Sequence, residues 1–183
     1  PQGAIINNAY IQFTAKDSHS NTTNLQIQVE DSQDAQPYVD DSYYGVSDRT
    51  YLTDVIAWNP PAWTAGQSGT AQQTSNLTTL VQKIVNKLDW NEGNAIAFKI
   101  NGTANSLTGT SNKRNPYSYD GGAATGNQPK LVINFTYACC GSLTTNWNGS
   151  SWDNGVPNKL TQATFTGNFN STNDLEACAI NIT

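Results

Sequence analysis

Apolar side chains recur along the first hundred residues at two spacings. In "AIINNAYIQFTA", residues 4–15, Ile6, Ala9, Ile11 and Phe13 share one face, the signature of a half-buried strand. "NLQIQVED" repeats it with Leu25, Ile27 and Val29 inward and Gln26, Gln28 and Glu30 outward, so both strands belong to antiparallel sheets with one wet face. "YLTDVIAW" predicts a further strand, ended by Asn59, Pro60 and Pro61 because proline donates nothing to a ladder.

The period then changes. Leu77, Leu80, Val81, Ile84, Val85 and Leu88 lie at helical spacing and predict an amphipathic helix over residues 76–88, with Thr74 or Ser75 as its N-cap and Thr79, Gln82, Lys83, Asn86 and Lys87 on the wet face. "DWNEGN" reverses the chain at Gly93, and "AIAFKI" alternates as a strand. The following thirty residues carry too much Gly, Asn, Ser and Thr for a continuous element, apart from "PYSY" as a short strand. "KLVINFTY" closes the unit as a strand with Leu131, Ile133 and Phe135 on one face. The fold class expected is all-β, an antiparallel sandwich capped by one helix.

Beyond Cys139 the texture becomes Trp- and Gly-punctuated, with short strand-like runs at "ATFTGNF" and "EACAINIT". Residues 1–138 therefore read as one unit and 139–183 as the start of another. The 183 residues suffice for a real core. Only 13% are charged, the formal net charge is −5, and no basic stripe exists to neutralise phosphates, which argues against nucleic acid. No window approaches the roughly 18 apolar residues of a membrane helix, so no membrane insertion is expected. Starting at Pro1 without a leader, the chain reads as a mature product or a fragment. Its neutral-polar composition is that of secreted β proteins.

Candidate chemistry is sparse. His19, the single histidine, sits in the polar run "DSHSNTTN" and reads as solvated surface, so no catalytic triad is legible and the expectation is that the chain is not an enzyme. The acidic loop offers Asp31, Asp34, Asp40 and Asp41 as oxygen ligands for calcium, against the simpler reading of solvated loop acids; its spacing is not that of an EF-hand. Asp120 reads as a turn residue. Tyr43, Tyr44, Trp58, Trp63, Tyr117 and Tyr119 are the aromatics available to stack on a glycan, although "WNPPAW" also reads as a rigid corner whose two rings pack under the sandwich edge. N-x-[ST] sequons at Asn21, Asn76, Asn101, Asn134, Asn148, Asn170 and Asn181 are what an Asn- and Thr-rich chain produces by chance, and they signify glycosylation only in a host with the machinery.

Of the three cysteines, the adjacent Cys139 and Cys140 cannot both reach Cys178. One of them is expected to bond Cys178, closing a loop worth about 4 kcal/mol on the chain-entropy model. The remaining thiol is either free or paired with another chain.

The succession of "WNPPAW", "LVQKIVN", "GNAIAFKI", "YSYDGG" and "PKLVINFTY", over residues 3–137, resembles secreted bacterial DNRLRE domains and their carbohydrate-binding-module relatives. The resemblance implies a jelly-roll sandwich that is non-catalytic and extracellular or at the cell surface. Such domains begin with one or two further strands before the segment matching "PQGAIINNAYIQF", so a sheet edge is expected to lie open to strand addition. The region after Cys139 is similar to repeats of large bacterial surface proteins. The function expected is adhesion, carbohydrate contact or surface assembly, with glycans or other surface-protein subunits as partners. The alternatives are a filament subunit that forms a homo-polymer by strand sharing, and an accessory module of a polysaccharide-degrading enzyme.

Overall fold

A computed structural model describes residues 2–37, 45–107, 111–137, 163–165 and 180–182 of the chain. Two compact units emerge, Pro1–Thr136 and Tyr137–Thr183. The first is mainly β, with two antiparallel sheets and few helices.

One sheet places β2 (Leu25–Val29) between β3 (Ile56–Trp58) and β4 (Phe98–Gly102). Its register sets Ile27 opposite Ile56 on one side and Ile100 on the other. The other sheet pairs β1 (Ala4–Gln12) with β5 (Lys130–Tyr137). Along β1 the inward set runs Ala4, Ile6 and then Ala9, Ile11, so it changes phase across Asn7 and Asn8. One residue more than strict alternation allows is what a bulge inserts. Inward residues of both sheets join one core cluster, in which Ile27, Val29 and Ala9 are fully buried.

Helix α1 (Thr78–Val85) closes that core with Leu80, Val81, Ile84 and Val85. It is shorter than its apolar stripe. The chain turns after Asn86, the Trp90 amide bonds the Lys87 carbonyl, and the Trp90 ring is buried in the core while Leu88 is left 86% exposed. The cap also differs from the expected one: Leu77 stands at the N-cap position, and Asn76 before it accepts from Thr78 N through Oδ1 at 2.7 Å. The hydroxyls of Thr74 and Ser75 are engaged elsewhere: Thr74 Oγ1 accepts from Ile11 N and Ser75 Oγ donates to the Ala57 carbonyl.

The Thr74 contact belongs to a seam along the edge of β1 that faces away from β5. The Phe13 amide bonds the Gln72 carbonyl, Thr74 N bonds the Ile11 carbonyl and Leu77 N bonds the Ala9 carbonyl at 2.7 Å. Farther along, Gln82 Oε1 accepts from Ile6 N and Gln82 Nε2 donates to the Ala4 carbonyl. Segment 72–82 therefore takes the place of a neighbouring strand, and the backbone groups along this side of β1 are not the open edge expected from the sequence.

"PYSY" is not a strand. Ala15 and Pro116 form an isolated bridge and Tyr117 N bonds the Thr14 carbonyl, after which Ser118 Oγ accepts from Gly121 N and starts the short helix α2 (Tyr119–Ala123), with Asp120 in its first turn. In the second unit β6 (Ala163–Phe165) pairs in parallel with β7 (Ile180–Ile182). No helix among the described residues is long and apolar enough to cross a membrane.

Candidate functional site

The corner "WNPPAW" begins at the end of β3, and its two tryptophans meet Phe13 just past β1. The Phe13 and Trp58 rings stack with centroids 5.7 Å apart, and Trp63 lies 6.3 Å from Phe13 and 6.4 Å from Trp58. Trp63 Nε1 donates to the Ala71 carbonyl, and the backbones of Trp63 and His19 exchange two hydrogen bonds. Trp58 is 5% exposed and Trp63 2%. So little of either ring is open that the two side chains form a packed corner, as the sequence also predicts, and both rings line the cavity described below.

Arg114 holds the corner from outside. Its Nε donates to the Pro61 carbonyl at 2.9 Å, Nη2 to the Pro60 carbonyl at 3.0 Å, and Nη1 to the Asn21 carbonyl and Thr23 Oγ1. Prolines cannot donate, but their carbonyls accept freely, so a planar five-donor cation can brace a diproline that no ladder reaches. One side chain thereby ties three loops. Burial pushes the guanidinium pKa below the ordinary arginine value. Among the described residues no carboxylate forms an ion pair with it.

Between this brace and β4 lies a cavity of about 370 Å³. Its apolar lining comes from the three rings with Leu25, Ile100 and Pro116, and its polar lining from Ser106, Asn112, Lys113 and Arg114. Gly102 lets the 3-10 turn Ala104–Leu107 approach, since a Cβ there would meet the Ser106 carbonyl oxygen at 3.1 Å. Ser106 Oγ accepts from Asn24 N, which fixes that wall. The volume suits one small group or side chain.

No protein-family model, curated protein or solved structure matches this chain. Its chemistry must therefore be read from its own residues.

The acidic loop is organised by ion pairs. Glu30 pairs with Arg49 at 2.6 Å with both side chains largely buried, and Arg49 also donates to the carbonyls of Gln36 and Pro37. Asp31 pairs with Lys87, and Asp34 Oδ1 accepts from Ala95 N. Both expected calcium ligands within the described residues thus have protein partners. No group of three or more metal-ligating side chains occurs among the described residues. Asp40, Asp41, Tyr43 and Tyr44 lie outside the described residues, as do Cys139, Cys140 and Cys178. Tyr119 is 69% exposed and Tyr117 half-buried, and neither lines the cavity.

His19 is not the freely solvated residue its loop predicts. Its backbone is bridged to Trp63, and its Nε2 is buried with no hydrogen-bond partner among the described residues. Sequence reasoning missed Arg114 and Lys113. The available signal was a Lys-Arg pair in "SNKRNPYSY" within a chain of only nine basic residues.

Proposed function

We propose that this chain is an extracellular, non-catalytic module of a surface protein, a jelly-roll-like sandwich that makes adhesive contacts through the cavity beside its diproline corner. The observation that supports this most is the brace of Arg114 on Pro60, Pro61, Asn21 and Thr23, which holds the cavity walls in place before any ligand arrives. Preformed walls reduce the ordering cost of binding. The test is a screen of the labelled chain on arrays of glycans and peptides, repeated with Leu25→Trp, which fills the cavity. Retained ligands that the variant no longer holds support the reading; ligands held equally by both place the contact elsewhere.

A second reading, assembly by strand sharing, draws on β4 and β5. Ile100 on β4 shares the inward face of Ile27, and Leu131 on β5 shares that of Ile133, which packs on the core, yet Ile100 is 37% exposed and Leu131 40%. Inward apolar residues left open in this way suit an added strand. Sedimentation of residues 1–183 beside residues 1–138 tests it: monomers in both would end this reading.

A further inference from the structure

The cavity carries information about its ligand. Among the described residues two that line it are charged, both are cations, and no carboxylate does, in a chain whose net charge is −5. Its polar groups are also largely committed. Ser106 Oγ already accepts from Asn24 N, Asn112 Oδ1 lies within reach of Asn21 Nδ2, and Arg114 holds the corner. A pyranose presents several hydroxyls that each need a partner, and walls of Leu25, Ile100 and Pro116 beside aromatic rings do not supply them. What does remain is positive charge. Of the five guanidinium N–H groups one Nη2 hydrogen has no acceptor among the described residues, and the exposed Lys113 stands next to it in sequence.

Resting on the binding-module reading, we propose that the cavity binds an apolar carboxylate, with an aliphatic or aromatic body against the ring cluster and the carboxylate at Lys113 and Arg114. The anion supplies the counter-charge that the half-buried guanidinium lacks among the described residues. Charge-assisted bonds of this kind are stronger than neutral ones and favour Arg. The same chemistry comes from a free aromatic or aliphatic acid or from the C-terminal residue of a polypeptide.

The test is a titration of the isotope-labelled full chain, followed by NMR at the indole N–H signals of Trp58 and Trp63. The probes are N-acetyl-L-phenylalanine, its amide, a hexapeptide ending in phenylalanine, the same peptide amidated, and glucose. The acid or the acid-ended peptide should shift these signals, with the amides at least tenfold weaker and glucose silent. Lys113→Glu should weaken the acid at least tenfold without changing the melting temperature, and it avoids the unfolding that Arg114→Ala risks. A peptide-only response assigns the site to polypeptide C-termini, and a response to both leaves it open to free acids; each supports the proposal. Equal affinity for acid and amide, a response to glucose alone, or no response to any probe overturns it, and a ligand of other chemistry held at the cavity would leave the binding-module reading standing.

Discussion

Gln82 serves Ile6 as a strand neighbour would: its Oε1 accepts from Ile6 N at 2.8 Å while its Nε2 donates to the Ala4 carbonyl at 2.8 Å. A side-chain amide carries the same donor and acceptor as a peptide group, so a helix can complete the edge of a strand that it crosses. Edges finished in this way are closed to other chains.

Gln82→Ala should therefore cost about 2 kcal/mol, because two part-buried backbone groups lose their partners. Gln82→Glu keeps the acceptor for Ile6 but sets a carboxylate against the Ala4 carbonyl, and should also destabilise. Urea denaturation measures both. A change under about 0.5 kcal/mol for the alanine variant would show that water replaces the amide without loss.

The end of α1 gives a paired prediction. Ile84 is fully buried and Leu88 is 86% exposed, although both belong to one helical stripe in the sequence. Ile84→Asp should destabilise by about 4 kcal/mol or more, through lost packing and an unpaired buried charge. Leu88→Asp should stay within about 0.5 kcal/mol. Equal thermal melts for the two variants would refute the helix ending after Val85.

The contrast between those residues marks what the sequence could convey. Periodicity located β1, β2, β4, β5 and α1, because burial of one face is written into consecutive positions. The slip in β1 breaks strict alternation, since Ile6 and Ala9 are three residues apart and yet both point inward. Periodicity does not encode a polar side chain whose partner is distant: Gln82 reads as an ordinary wet-face residue, and its bonds span 76 and 78 positions. Arg114 is the same case, reaching 91 positions back to Thr23. The "WNPPAW" corner was legible as a packed unit, but the cavity beside it is made by residues from five separate segments and has no linear signature.

Gly122 tests local packing in α2. A Cβ there would lie 2.6 Å from Gln128 N and 2.7 Å from the Asn127 carbonyl carbon, so the backbone of the following turn would have to move. Gly122→Ala should cost about 2 kcal/mol, within the range for overpacking. Gly69 is the control: its φ of −111° suits alanine, and the nearest atom to a built Cβ is Gln72 Oε1 at 3.8 Å. Gly69→Ala should be neutral or stabilising by up to about 1 kcal/mol, through the unfolded chain. Opposite signs in one denaturation series would support both placements, and a tolerated Gly122→Ala would refute the close approach.

Arg114→Lys separates charge from geometry at the corner. Lysine keeps the positive charge, but its ammonium is a compact three-donor group and cannot span the carbonyls of Pro60, Pro61 and Asn21 together as the guanidinium does. Several charge-assisted bonds would be lost and their acceptors left half-buried, so the expected cost is about 3 kcal/mol, or roughly 6–12 °C in melting temperature for a domain of this size. Because Trp63 is joined to His19 through its backbone at the same corner, its amide should lose hydrogen-exchange protection in the variant more than the Ile27 amide in the central strand does. Lys113→Ala, one position away on the exposed side, should leave both measurements unchanged. A lysine variant as stable and as protected as the parent would mean that charge alone holds the corner, and the brace would then be no more than proximity.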